Sequence, residues 1–305
     1  MPSKPPERPI VVSPRIALGS ELLRRAQIAS QLGVDQIWLE QLPDQRDALI
    51  VASAFLQVAA ATAVGTAIMP VYTRHPVTAA QAALTLSDLY DGRFLLGLGL
   101  SHHYVNEFVL GYQQGRPIAV MAEYLRIVRD LIDGGGVTRE GEYFTARARY
   151  AATRSRTPLY LAALQPQMIR LGVRYCDGIL LWMCTPRFIA ERVTPVVAEA
   201  CAEFNRDPAE FQVLALLPAY ATDDPADAFA QATQQFRAYR MIPYYRQVLE
   251  AFGELDVGEL SLFGSKSRIQ ERMAVFREAG CTPAISPFGE SVAEFAETIA
   301  AAYDP

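Results

Sequence analysis

Hydrophobic residues along this chain fall into two patterns, short continuous apolar runs and longer stretches with helical spacing. Continuous runs without polar alternation are typical of strands that are covered on both faces, as in parallel sheets. The runs predict eight strands, over residues 10–18 (broken by Pro14), 36–40, 63–69, 94–100, 159–163, 178–182, 211–220 and 282–288.

Segments with apolar residues at helical spacing separate these runs. They predict helices over 20–33, 47–62, 78–90, 118–133, 167–175, 186–204, 225–252, 267–279 and 292–303, and a small hairpin over 137–144. Strands that alternate with helices form a parallel sheet with the helices outside. Eight such units in 305 residues favour an α/β fold of the closed (β/α)₈ TIM-barrel type over an open doubly wound sheet. Since no change of composition divides the chain, we expect one domain over 1–305, with a loose tail at 1–9.

The stretch 85–103 (TLSDLYDGRFLLGLGLSHH) is the centre of this pattern. Gly97 and Gly99 weaken a strand interior, so they indicate that a bulky group approaches the backbone there. Ser101, His102 and His103 follow at the carboxyl end of the strand, where barrel enzymes place their catalytic groups.

Composition excludes several classes of protein. With 51% hydrophobic and 20% charged residues, the chain is typical of a soluble globular protein. A net charge of -5 argues against a nucleic-acid partner or an anionic membrane surface. The four cysteines form no CxxC pair, which favours the reducing cytoplasm. No run is long enough to span a bilayer, and three histidines without HExxH give no reason to expect a metal.

Several segments in the same order resemble the bacterial luciferase-like oxidoreductases, over about 36–287. They are GTAIMPVYTRHPVTAAQAA, LTLSDLYDGRFLLGLGLSHH, RPIAVMAEYLRIVRDLI, VTREGEYF, PLYLAALQPQMIRL and FGSKSRIQERMAVFREAGCTPAISPFG. GLGLSHH, RPIAVM and PLYLAAL are most similar to the branch that uses the deazaflavin coenzyme F-420.

This resemblance implies a barrel with insertion segments and a coenzyme in the mouth at the carboxyl ends of the strands. It implies hydride transfer between coenzyme F-420 and a small organic substrate, and a homodimer. It also implies a non-proline cis peptide at Ala67–Ile68, where a backbone bulge supports the central ring of the coenzyme. Two alternatives stay open: an FMN-dependent monooxygenase that works with a flavin reductase, and a non-catalytic F-420 binding protein.

The candidate catalytic residues are Glu40, Gln41, His102 and His103. Many deazaflavin enzymes of the family have an acidic residue followed by His where this chain has Glu40 and Gln41. Glutamine cannot act as an acid or base near neutral pH, which puts His-dependent dehydrogenation of sugar phosphates or alcohols in doubt. His102 and His103 stand where some relatives carry a catalytic Glu, and one of them is expected to line the substrate side of the coenzyme. The alternative is that both are solvated loop residues.

The candidate coenzyme contacts are apolar strand ends and two helix starts. The strand ends supply Ala67, Ile68, Met69, Gly99, Leu100, Ser101, Ala162, Ala163 and Leu164, all of which are also compatible with ordinary barrel core. A phosphorylated coenzyme tail needs N–H groups and cations, which the helix starts at Cys184, Arg187, Lys266 and Arg268 offer. The Tyr-rich segment 239–245 is a candidate lid, and the substrate is not predicted.

Overall fold

The structure is a computed structural model that describes residues 6–13, 19–150, 156–237, 239, 242, 245–246 and 260–304. Its strands are β1 (Pro9–Val12), β2 (Gln36–Leu39), β3 (Ala63–Thr66), β4 (Met69–Pro70), β5 (Phe94–Gly99), β6 (Gly136–Glu140), β7 (Thr145–Arg149), β8 (Leu159–Ala162), β9 (Gly178–Trp182), β10 (Gln212–Ala221), β11 (Leu262–Gly264) and β12 (Thr282–Pro287).

The α-helices follow the predicted segments closely. They are α1 (Gly19–Gln31), α2 (Ala48–Val58), α3 (Pro76–Leu89), α4 (Pro117–Gly134), α5 (Pro166–Tyr175), α6 (Pro186–Phe188), α7 (Thr194–Glu203), α8 (Pro225–Phe236), α9 (Lys266–Glu278) and α10 (Val292–Tyr303). A π-helical turn, Ile189–Val193, joins α6 to α7, and another covers Val105–Val109. The predicted helix 225–252 is described as far as Phe236, and most of its second half lies outside the described residues. None of the described helices combines the length and the hydropathy needed to cross a bilayer.

Eight parallel strands close into a barrel in the order β1-β2-β3-β5-β8-β9-β10-β12. The ring closes because β12 pairs with both β10 and β1, and β10 also pairs with β9. The predicted (β/α)₈ TIM barrel is therefore confirmed, and each of the eight predicted strands supplies a barrel strand, although 14–18 of the first one lie outside the described residues. The predicted loose tail 1–9 is wrong at its end, because Pro9 belongs to β1 and the N–H groups of Glu7 and Arg8 donate to Asp35. The antiparallel hairpin β6–β7 lies outside it, with its second strand slightly later than predicted. The short β11, which pairs with the end of β10, was not predicted because three residues carry no periodicity.

The third predicted strand, 63–69, contains a bulge. Gly65 pairs with Leu95 and Met69 with Leu98, so three residues on this strand face two on β5. The Ala67–Ile68 peptide bond inside the bulge is cis, which confirms that prediction.

The two glycines of β5 make room for this bulge. A Cβ on Gly97 would lie 1.8 Å from the carbonyl oxygen of Thr66, and a Cβ on Gly99 would lie 2.8 Å from Cγ1 of Ile68. The glycines predicted that a bulky group approaches the β5 backbone. That group is the neighbouring strand of the protein itself.

The interior of the barrel is packed by an apolar cluster, formed by Val11, Trp38, Leu95, Tyr160, Leu180, Leu214, Leu216 and Ala284. Trp38 and Tyr160 meet edge to face at 4.8 Å between ring centroids. Their polar atoms bond toward the amino ends of the strands, Trp38 Nε1 to Gln36 at 3.1 Å and Tyr160 Oη to Gln212 at 2.6 Å. The barrel interior is therefore filled by side chains, and barrels of this type place their catalytic groups at the carboxyl ends of the strands.

Asp177, directly before β9, ties that strand to its neighbours. Its Oδ2 accepts from the Leu159 N–H at 2.8 Å and from Arg129 Nη2 at 3.0 Å, and its Oδ1 contacts Arg156. The Asp177→Asn substitution removes the carboxylate charge. It also places an amide NH₂ group opposite the N–H donors of Leu159, Arg129 and Arg156. We expect the free energy of unfolding to fall by about 2–3 kcal/mol in urea denaturation.

The matched control for this change is Asp133→Asn. Asp133 also pairs with Arg129, at 3.3 Å, but its side chain is 58% exposed. An exposed pair contributes less than about 1 kcal/mol. Equal losses in the two variants would contradict the role given to Asp177.

Candidate active site at the carboxyl end of the barrel

Three of the predicted coenzyme contacts meet on the floor of the mouth. Ile68 lies over Gly99, and a Cβ on Gly99 would also lie 3.2 Å from the Cβ of Ala162. Ala67, Ile68 and Trp182 pack on the interior cluster from above. The bulge, the end of β5, the end of β8 and the end of β9 therefore form one apolar surface, which we call the floor. Trp182, the apolar end of β9, is one of the strand ends that the sequence offers for this site.

Other predicted contacts pack elsewhere. Met69 and Ala163 are buried in the core between strands and helices, and Leu100 packs against the same core. These three side chains therefore occupy ordinary core positions, which is the alternative to coenzyme contact that the sequence left open. Leu164 contacts that core and also the aromatic cluster described below.

The exits of two strands adopt left-handed backbone conformations at non-glycine residues. Ser101, after β5, has φ 62°, and Met183, after β9, has φ 57°. Such residues persist where the surrounding structure holds them, and they cluster at active sites and ligand-binding sites. Both exits border the floor.

His102 is half-buried beside two tyrosines. Its ring meets Tyr239 at 5.9 Å and Tyr245 at 6.2 Å between centroids, both in edge-on geometry. Burial lowers the pKa of His102 below its ordinary 6.5, because the charged imidazolium would lose its hydration. The ring is therefore neutral at pH 7.

Asn106, which sequence patterns did not single out, holds the His102 loop. Its Nδ2 donates to the carbonyl of Leu100 at 2.7 Å, and its backbone N–H donates to the carbonyl of His102 at 3.0 Å. The side chain is fully buried, in a segment whose sequence predicts only irregular structure. Only its spatial position identifies its role.

His103 points away from the cluster around His102. Its side chain is 65% exposed, and its Nε2 lies 3.3 Å from the Glu107 carboxylate one turn later. His103 therefore fits the alternative in which the histidine is a solvated loop residue, whereas His102 does not.

Glu40 and Gln41 are both held by neutral partners. Glu40 Oε1 accepts from Gln45 Nε2 at 2.7 Å and contacts the Ser13 hydroxyl. Gln41 Oε1 accepts from the backbone N–H of Ala48 at 3.3 Å, at the start of α2. The start of α2 thus orients the Gln41 amide. The hydrogen bonds given above join neither Glu40 nor Gln41 to His102.

An aromatic cluster lies across the mouth. Tyr239 contacts both His102 and Trp182, at 6.1 Å from the latter, and Phe236 meets Trp182 at 5.6 Å. The cluster comprises Leu164, Trp182, Met183, Phe236, Tyr239, Ile242, Tyr245 and Leu260. The predicted lid over 239–245 is described at residues 239, 242 and 245, which belong to this cluster; 240, 241, 243 and 244 lie outside the described residues.

The first predicted tail-binding loop opens α6. The Cys184 side chain is buried and its Sγ contacts the Trp182 carbonyl at 3.5 Å, and burial raises the pKa of the thiol. Thr185 caps the helix by accepting from the Phe188 N–H at 3.0 Å. Arg187 is exposed and donates to Glu191 at 2.8 Å. The loop therefore exposes the Arg187 guanidinium, whereas the Cys184 thiol is buried.

The second loop opens α9. Ser265 caps this helix by accepting from the Arg268 N–H at 3.4 Å. Gly264 has φ 130°, and the Arg268 side chain folds back over it, since a Cβ there would lie 2.8 Å from the arginine Cδ. Lys266 and Arg268 are exposed, so both cations border this helix start. No group of three or more metal-binding side chains occurs within the described part of the chain.

Comparison with known proteins gives consistent matches. The model of the luciferase-like monooxygenase family matches residues 11–301. The F420-dependent glucose-6-phosphate dehydrogenase of Rhodococcus erythropolis is 31% identical over 227 residues, 68% of this chain and 66% of that protein. The 5,10-methylenetetrahydromethanopterin reductase of Methanolobus tindarius is 26% identical over 75% of this chain and 69% of its own length.

The fold has close counterparts among solved structures. An F420-dependent secondary alcohol dehydrogenase in complex with an F420-acetone adduct superposes with a TM-score of 0.82 at 21% identity, over 97% of this chain and 100% of that one. At this identity the likeness concerns the fold. The chain spans about two thirds of the length of the two relatives compared by sequence.

Proposed function

The chain belongs to the luciferase-like monooxygenase family, and from this premise we propose that it is an oxidoreductase that passes a hydride between coenzyme F-420 and a small organic substrate. One observation carries the proposal: the bulge at Ala67–Ile68 meets Gly99 and Ala162 in one apolar floor at the carboxyl end of the barrel. The names of two similar proteins, both F420-dependent, support the choice of coenzyme.

The floor fits a flat redox ring. Ile68 covers Gly99, and the short Ala162 side chain lies beside it, so a ring can lie flat on the surface that these two side chains form. The bound deazaflavin would supply the hydride chemistry, and the protein must orient it and exclude water. The helix starts at 184–187 and 264–268, with Arg187, Lys266 and Arg268, would bind the anionic tail through N–H groups and cations.

His102 is the proposed proton-transfer group. Its neutral imidazole can accept the hydroxyl proton of a substrate as hydride leaves the adjacent carbon, and can return it in the reverse direction. Gln41 can donate a hydrogen bond to the substrate but cannot exchange a proton with it. His103 has no place in this proposal because it is exposed and paired with Glu107.

The test is titration of the purified protein with oxidised F-420, reduced F-420 and FMN. We expect F-420 to bind at micromolar concentration and FMN to bind far more weakly. No F-420 binding at tens of micromolar would remove the coenzyme from the proposal. A flavin that copurifies and colours the protein yellow would instead support the FMN-dependent monooxygenase. F-420 binding without turnover of any alcohol, imine or enone would support the non-catalytic binder.

Ala162→Leu probes the floor directly. The larger side chain would project from the floor beside Ile68, so F-420 affinity should fall by about tenfold or more, since overlap of this size costs about 1–3 kcal/mol. Ala82→Leu is the matched control, because Ala82 is a partly buried residue of α3, on the outside of the barrel. Equal affinities in the two variants, with both folded by circular dichroism, would place the coenzyme elsewhere.

A further inference from the structure

The two tryptophans of the chain differ in one respect. Trp38 Nε1 donates to Gln36 at 3.1 Å inside the barrel. Trp182 Nε1 is shielded from solvent and has no acceptor among the residues that the structure describes. A buried N–H group without an acceptor lowers the stability of the folded protein by about 1–3 kcal/mol, so an unpaired N–H group of this kind requires an explanation.

The position of Trp182 supplies one. It ends β9 two residues after Leu180, which faces the barrel interior, so its ring also points inward. It contacts the interior cluster together with Ala67 and Ile68, and it contacts the aromatic cluster above. The Trp182 side chain thus lies between the proposed coenzyme floor and the aromatic cluster, where a substrate would lie.

The described side chains of the aromatic cluster are uncharged. Phe236 and Tyr239 approach the Trp182 ring at 5.6 and 6.1 Å, and Tyr239 in turn contacts the neutral ring of His102. Aromatic walls favour a flat ring as their partner. A charged substrate would lose its hydration here without gaining an opposite charge from these residues.

We propose that the substrate is an uncharged alcohol whose reacting carbon carries a flat, aromatic ring, and that Trp182 Nε1–H binds its oxygen. This rests on the function proposed above. His102 would take the hydroxyl proton, and bound oxidised F-420 would supply the acceptor for the hydride lost when the carbinol C–H bond breaks. The C=O bond of the aromatic ketone would form, so the alcohol would be oxidised by two electrons and the coenzyme reduced by two.

Substrate selectivity of the wild-type protein is the first test. Purified protein with oxidised F-420 is given 1-phenylethanol, its carboxylated analogue 4-(1-hydroxyethyl)benzoate, 2-propanol or glucose 6-phosphate, and coenzyme reduction is followed by absorbance. We expect kcat/KM for 1-phenylethanol to exceed that of each other compound by about 100-fold. Comparable turnover of the carboxylate or of the sugar phosphate would overturn the inference.

The second test removes the Trp182 N–H together with part of the indole ring, a loss of ring volume that the control variant shares. Trp182→Phe should lower kcat/KM for 1-phenylethanol by about 30-fold, while the Kd of F-420 stays within about threefold. Trp38→Phe is the matched control, and it should lower the thermal midpoint with kcat/KM nearly unchanged. An unchanged kcat/KM in folded Trp182→Phe would refute the contact. Loss of F-420 binding by the wild type would refute the proposed function instead, so the two failures are distinguishable.

Discussion

Replacing Gly97 with alanine (Gly97→Ala) is expected to prevent the barrel from folding. The new Cβ would lie 1.8 Å from the Thr66 carbonyl oxygen, a backbone atom inside a closed sheet. Thr66 Oγ1 also donates to the Gly97 carbonyl at 2.7 Å and accepts from the Gly97 N–H at 3.0 Å. Relieving the overlap must separate β3 from β5 and break both bonds, so the loss should exceed about 4 kcal/mol.

Soluble yield and chemical denaturation measure this effect. Gly134→Ala is the matched control, since Gly134 is in the last turn of α4 and a Cβ there meets nothing within 4 Å. Alanine in a helix stabilises by up to about 1 kcal/mol relative to glycine. A Gly97→Ala protein as stable as the Gly134→Ala protein would show that the bulge does not lie against Gly97.

His102→Ala is expected to lower kcat for alcohol oxidation by about 100-fold, the lower end of what a general base contributes. The Kd of F-420 should change little, since the ring contacts Tyr239 and Tyr245 in the lid. His103→Ala is the control and should retain activity within about twofold, because His103 is exposed. Equal loss in both variants would contradict the assignment of the base to His102.

The pH profile gives an independent measurement of the same group. Burial lowers the pKa of His102 below 6.5, so the neutral base persists to lower pH than in a free histidine. Wild-type oxidation should rise with pH through a midpoint below 6.5, and His102→Ala should lack this step. Stability should change in the same direction. Below 6.5 the unfolded chain binds the proton more readily than the folded one, so the folded state loses stability as pH falls.

The sequence alone determined the number and order of the barrel strands. Continuous apolar runs separated by amphipathic helices leave few alternatives to a parallel barrel, and every predicted barrel strand is present. It also located the crowded point, because Gly97 and Gly99 in an apolar strand imply a close approach to the backbone. The cis peptide at Ala67–Ile68 followed from the resemblance to a family, and the structure confirms it.

Only the tertiary structure decided which side chains face the mouth. A strand that is apolar on both faces has no alternation, so its sequence does not show whether Met69 or Ile68, or Ala163 or Ala162, points inward. In the structure Ile68 and Ala162 meet at Gly99, while Met69 and Ala163 pack under the helices. The same limit applies to His102 and His103, adjacent in sequence, one beside aromatic rings and the other in solvent. The surroundings of the Trp182 N–H group come from residues more than fifty positions away in sequence, such as Tyr239. Contacts of that range are set by chain topology, which the local sequence pattern does not encode.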